Sequence, residues 1–145
     1  VYGSRSIAAI GVAAHECGHA IQHARHYVPL TVRSAIIPAA NIGSSFAWPL
    51  VLIGLIIPRL NFCMTIGILL FSLVVILQLV TLPVEFNASR RAIQIIRDSG
   101  YLAPDELKGA KSVLKAAAMT YVAAMVSVSL QLLRLVILRN SRDDN

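Results

Sequence analysis

His15, Glu16 and His19 stand in an H-E-x-x-H pattern, His15-Glu16-Cys17-Gly18-His19. The run around them, residues 6–27, reads as one helix, with Ser6 suited to cap its start. Residues four apart on a helix stand one above the other, so two imidazoles can share one metal ion. Glu16 begins about 100° further around and can reach a water beside that ion. Two neutral imidazoles, an open coordination position and a carboxylate to take a proton suit a hydrolytic zinc site. The alternative is a helix whose histidines are merely packed or solvated, because the pattern fixes only three positions.

Nearby residues narrow the chemistry. His23 continues the spacing, but it lies about 12 Å from His15 along the axis, and one ion cannot take three groups from a straight helix. His23 is therefore placed around the site or on the surface, and His26 on the surface. Gln22 and Arg25 stand where the metzincin pattern requires glycine and histidine, which excludes that variant. Cys17 lies about 200° around from His15 and is expected to be a small buried residue rather than a ligand. The helix is apolar nearly all round, which predicts burial on most sides, and its small residues would admit close helix neighbours.

The elements that must position these groups follow from composition. The 145 residues are 57% hydrophobic and 14% charged, and mean hydropathy is +0.71. These values describe a membrane protein. The net charge of +6 is read as basic segments beside anionic lipid. No Lys/Arg-rich patch interleaves with aromatics, so nucleic acid is not an expected partner. Two separate cysteines, Cys17 and Cys63, make no disulfide framework. The chain enters the motif helix soon after Val1 with no signal-peptide pattern in view, and it is expected to be an N-terminally truncated piece of a longer protein.

Uncharged stretches at 36–57 and 62–84 are each long enough to cross a bilayer and form a transmembrane hairpin. Pro58-Arg59-Leu60-Asn61 is the turn between them. Residues 85–115 form a helical connection: an amphipathic segment ending at Gly100, then a new helix with Pro104 first and Asp105 and Glu106 in its opening turn. A third span occupies 116–138, and the tail from Asn140 is expected to be disordered. The predicted fold is all-α: one multi-pass membrane domain, with the HExxH helix packed against the hairpin and a third spanning helix.

Counting spans returns Glu85 to the side of His15 and His19. It is the only acidic residue between Glu16 and Asp98. An acid at the end of an apolar span needs a partner or water. As a third ligand it would complete a His, His, Glu set; as an ordinary interfacial residue it would pair with Arg90 or Arg91. Nine of the 13 Lys and Arg residues, Arg5 among them, fall on the same side. By the positive-inside rule that side is cytoplasmic, which places the site at or near the inner face of the cell membrane.

Four blocks resemble, in order, the YugP-type membrane zinc metallopeptidases of bacteria: Ala13–His23, Pro38–Ser44, Leu79–Arg91 and Glu106–Lys111. The resemblance covers the chain from about Tyr2 to Leu133, and family members have a further upstream part with another membrane segment. It implies a gluzincin-like site in which His15, His19 and Glu85 hold one catalytic Zn²⁺ and Glu16 is the general base. The Glu85 block is also similar to the third-ligand helix of HtpX-type and prenyl-protein membrane proteases. Those carry, after the glutamate and alanine matched by Glu85 and Ala88, an aspartate that steadies a ligand histidine. Ser89 stands in its place, so the steadying role falls to Ser89, Asn87 or an arginine such as Arg90.

The expected function is membrane-embedded zinc-dependent endopeptidase activity: hydrolysis of peptide bonds in a peptide or protein substrate, with a zinc-activated water and Glu16 as general base. An oxyanion-stabilising group is also expected, with His23, Tyr101, Tyr121 and Arg90 as candidates. Intramembrane cleavage of the site-2 type would use an aspartate from a later span, and none lies in these spans. The non-enzyme alternative is a membrane scaffold or solute-binding protein with a silent or structural HExxH helix.

Overall fold

A computed structural model describes residues 6–144. Val1–Arg5, and with them Arg5 of the charge count, lie outside the described residues, as does Asn145. The order is α1 (Ile7–Ala24), α2 (Val28–Ile56), a 3₁₀ turn (Pro58–Leu60), α3 (Asn61–Ser99) and α4 (Pro104–Asp143). No strand occurs among the described residues. The protein is thus all-α, and three of its helices are long and apolar enough to cross a membrane: Val28–Ile56, Pro58–Ser99 (counted with the 3₁₀ turn) and Pro104–Asp143.

Local chemistry sets the helix ends. Ser6 Oγ accepts the Ala9 N–H at 3.1 Å and caps α1. At the other end His26 takes the left-handed conformation, φ 51°. Its N–H bonds to the His23 carbonyl at 3.2 Å, and the Tyr27 N–H to that of Gln22 at 2.9 Å. This pair of bonds is a Schellman cap with histidine where glycine is usual. Gly100, φ 67°, follows the end of α3 as its sequence position predicts. Pro104 opens α4, and the Ala103 N–H donates to Glu106 Oε2 at 2.8 Å, one half of a capping box.

Several sequence expectations are revised. The break after the motif helix is short: α1 ends at Ala24 and α2 already starts at Val28, with Pro29 in its first turn, where a proline gives up no helical hydrogen bond. The stretch after Val84 is not a separate helix, because α3 continues through Pro83 and Glu85 to Ser99. Its 39 residues make it about 58 Å long, roughly twice a bilayer's hydrocarbon thickness. Nor is the tail disordered up to Asp143. Asn61 Nδ2 donates to Asp143 Oδ1 at 3.3 Å, the Arg142 guanidinium donates to the Gly54 carbonyl, and α4 persists.

The chain forms two compact units. The first comprises α1 and the chain to Thr31, with Thr81–Val122. Its core joins Ala14 of α1, Ala92 and Ile96 of α3, and Ala110 and Leu114 of α4. Only a stripe of α1 is covered: Gly11, Ala14, Gly18 and Gln22. Burial on most sides is therefore not realised, and Cys17, expected to be buried, is exposed. The second unit comprises Val32–Val80 and the chain from Ala123. Ala47 and Val51 of α2 pack there with Met64, Ile68 and Phe71 of α3 and Leu135 of α4. Large apolar side chains such as Ile56 (74% exposed) and Leu69 (63%) face outward, as a lipid-facing surface requires.

Candidate metal centre

The site lies within the first unit, where α1 crosses α3. A Cβ on Gly18 would stand 3.0 Å from the Ala88 carbonyl carbon and 3.1 Å from its Cα, with the carbonyl oxygen nearer still. Only glycine lets the two backbones meet this closely. Around this contact His15 meets Glu85 and Ser89, His19 meets Glu85, and Gln22 meets Val84 and Asn87.

Three ligand-capable atoms converge. His15 Nε2 lies 2.9 Å from Glu85 Oε2, His19 Nε2 lies 3.4 Å from the same oxygen, and the two Nε2 atoms are 3.1 Å apart. The rings meet edge to face, at 89°. Ligands of a tetrahedral zinc, with bonds of about 2.0–2.1 Å, are separated by about 3.3–3.4 Å. One observed separation matches that value, and the other two are shorter by about 0.2–0.5 Å.

The far side of each ring is also occupied. His19 Nδ1 is 2.9 Å from Gln22 Oε1. Gln22 Nε2 donates to the Val84 carbonyl at 2.8 Å and to Asn87 Oδ1 at 3.1 Å. These two acceptors fix the amide orientation, so its oxygen must face the ring. His19 therefore carries its proton on Nδ1 and presents a lone pair at Nε2. Ser89 Oγ lies 3.1 Å from His15 Nδ1 and can accept in the same way. With His15 in the same tautomer as His19, two nitrogen lone pairs and a carboxylate oxygen face one another around a single point. A proton bridges only one such pair at a time, whereas a divalent cation satisfies all three. The side chains present thus fit a zinc ion on their own geometry. Glu85 is 3% exposed, and an ionised carboxylate buried so deeply requires compensating charge.

Other predicted residues are placed less centrally. Glu16 follows His15 on α1 and is exposed. Among the described residues Asn87 hydrogen-bonds to no histidine; it accepts from Gln22 and from Arg91 Nε at 2.8 Å, and Arg91 lies 6.0 Å above the Tyr27 ring. His23 is exposed, and Tyr101 is 87% exposed on the α3–α4 connection. Arg90 lines a neighbouring groove that also takes in Ser89. Beside the cluster opens a cleft of about 110 Å³, lined by Val12, His15, Glu85, Ser89, Val113, Leu114, Ala117, Ala118 and Tyr121. Of the four oxyanion candidates, Tyr121 alone lines it.

Sequence reasoning missed Gln22, which is fully buried at 0% exposure. A signal existed: Gln22 is the one polar member of the stripe Gly11, Ala14, Gly18, Gln22, three residues beyond His19. A polar side chain on a buried face needs partners.

Fold and cluster together define a helical membrane protein with a candidate metal centre. The model of a family described as "Putative neutral zinc metallopeptidase" matches residues 1–140, and the chain belongs to that family. It is 50% identical over 146 residues to "Putative membrane protease YugP" of Bacillus subtilis (strain 168), an alignment covering 100% of this chain and 64% of that protein. The chain thus spans less than two thirds of the length of this relative. No solved structure matches.

Proposed function

We propose that this chain is the metal-binding part of a zinc-dependent endopeptidase embedded in the cell membrane. His15, His19 and Glu85 would hold one Zn²⁺, and Glu16 is the general base. The observation that carries the proposal is the approach of three ligand atoms to within 4.8 Å of one another, with each imidazole already engaged at Nδ1. When bound, the ion supplies a Lewis acid for the substrate carbonyl and makes water acidic enough to attack near neutral pH.

The chain's own residues do the rest. Gln22 and Ser89 hold the two rings in the tautomer that leaves Nε2 free. The Glu16 carboxylate takes the proton from the attacking water and passes it to the leaving amine nitrogen. Tyr121 donates a hydrogen bond to the carbonyl oxygen as negative charge builds on it. Val12, Val113, Leu114 and Ala117 line the cleft with apolar surface and limit water. The substrate is a peptide or protein segment reaching the membrane surface. Arg25, Arg33, Arg90, Arg91, Arg97, Lys108, Lys111 and Lys115 favour the cytoplasmic face for this end of the chain.

The test compares two variants by metal analysis and peptide cleavage. Glu16→Gln should retain about one zinc per chain and lose about 10²–10⁴-fold in turnover, the range for a positioned general base. Glu85→Ala should lose most of its zinc. Full zinc occupancy in Glu85→Ala would refute the ligand set. Wild-type protein that binds zinc tightly but cleaves nothing would favour a structural role for the motif.

A further inference from the structure

A second groove lies in the first unit between α3 and α4, about 330 Å³ in volume. Phe86, Ile93, Leu114 and Met119 give it an apolar floor, and Arg90, Lys111 and Lys115 line it with three positive charges. All three basic residues are exposed, and none pairs with a carboxylate among the described residues. No acidic residue lines the groove. Its position along both helices is informative. Phe86 lies two residues beyond the uncharged stretch that ends at Val84, and Lys115 immediately precedes the apolar stretch that begins at Ala116. At 1.5 Å per residue, both stand within about 3 Å of where their helices turn apolar. That is headgroup depth for helices entering a bilayer.

We propose that this groove binds an anionic phospholipid, with the phosphate among Arg90, Lys111 and Lys115 and an acyl chain along Phe86, Leu114 and Met119. Unpaired cations above an apolar floor complement an amphiphile of this kind. A small free anion would leave the floor wet, and a purely apolar ligand would leave the charges unused. The proposal does not depend on peptidase activity.

The test uses the full protein in phosphatidylcholine nanodiscs with and without phosphatidylglycerol, reading retained lipid by native mass spectrometry. Wild type should retain phosphatidylglycerol preferentially. The triple variant Arg90→Gln, Lys111→Gln, Lys115→Gln should lose about 100-fold or more in apparent affinity, because three charge-assisted contacts to one phosphate are lost together. A variant with the same charge loss elsewhere, Arg25→Gln, Arg97→Gln, Lys108→Gln, should retain the lipid, as should Glu85→Ala. Equal loss in both triple variants would reduce the effect to general surface attraction and overturn the proposal. Displacement by inorganic phosphate alone would also overturn it. So would unchanged lipid retention in the groove variant, whether or not that variant loses cleavage of acidic peptides. Circular dichroism of each variant separates loss of the site from loss of the fold.

Discussion

Gly18→Ala adds one methyl group at the point where α1 meets α3, and it sets two effects against each other. Alanine is about 1 kcal/mol better than glycine in a helix interior, which favours the variant. The new Cβ, however, would stand 3.0 Å and 3.1 Å from two Ala88 backbone carbons, and nearer to the carbonyl oxygen. Carbon atoms pack best at about 3.5–4.0 Å, so the helices must separate by about 0.5–1 Å. Overpacking of this kind costs about 1–3 kcal/mol, so net stability should change by no more than about 2 kcal/mol. The site is far less tolerant. His19 is the next residue, and its Nε2 lies 3.4 Å from Glu85 Oε2 across the same crossing. Metal–ligand distances tolerate only about 0.2 Å. Zinc affinity should therefore fall by about 100-fold or more, roughly 2.8 kcal/mol. Competition with a chelating dye measures the affinity, and thermal denaturation followed by circular dichroism measures the fold. Gly109→Ala serves as control: its Cβ would lie 3.4 Å from the flexible Ile7 side chain, and zinc binding should be unchanged. Zinc affinity within threefold of wild type in a folded Gly18→Ala protein would refute the claim that this crossing sets the site.

Other substitutions probe separate links. Gln22→Met keeps the volume but removes the acceptor for His19 Nδ1–H, and zinc affinity should fall about 10–100-fold with helicity retained; unchanged affinity would show that the ring needs no such anchor. Tyr121→Phe should reduce kcat by about 10²–10³-fold with KM and zinc content little changed, and an equal rise in KM would instead point to ground-state binding. His26→Gly relieves the left-handed cap after α1 and should raise unfolding free energy by about 0.5–1 kcal/mol, read as a higher midpoint in a thermal melt.

Much of this protein is written locally in its sequence. The i, i+4 spacing of His15 and His19 needs only helical geometry. Helix starts at Ser6 and Pro104, and the stop at Gly100, follow from side chains adjacent to the backbone groups they satisfy. Long uncharged stretches suffice to name three apolar helices, because length and polarity alone decide whether a segment tolerates hydrocarbon. Span counting even returns Glu85 to the level of the histidines, although no local rule says that its carboxylate meets them.

Tertiary packing decided what local spacing leaves open. An apolar helix can bury any face, and for α1 the choice fell on Gly11, Ala14, Gly18 and Gln22, which left Cys17 in the open and made Gln22 an anchor for His19. Ser89, Asn87 and Arg90 were equal candidates beside the histidines until the pitch of α3 against α1 set Ser89 on His15 and turned Arg90 toward another groove. The convergence of His15, His19 and Glu85 depends on two backbones touching at Gly18 and Ala88. That contact joins residues 70 positions apart, and it exists only when both helices are folded and packed.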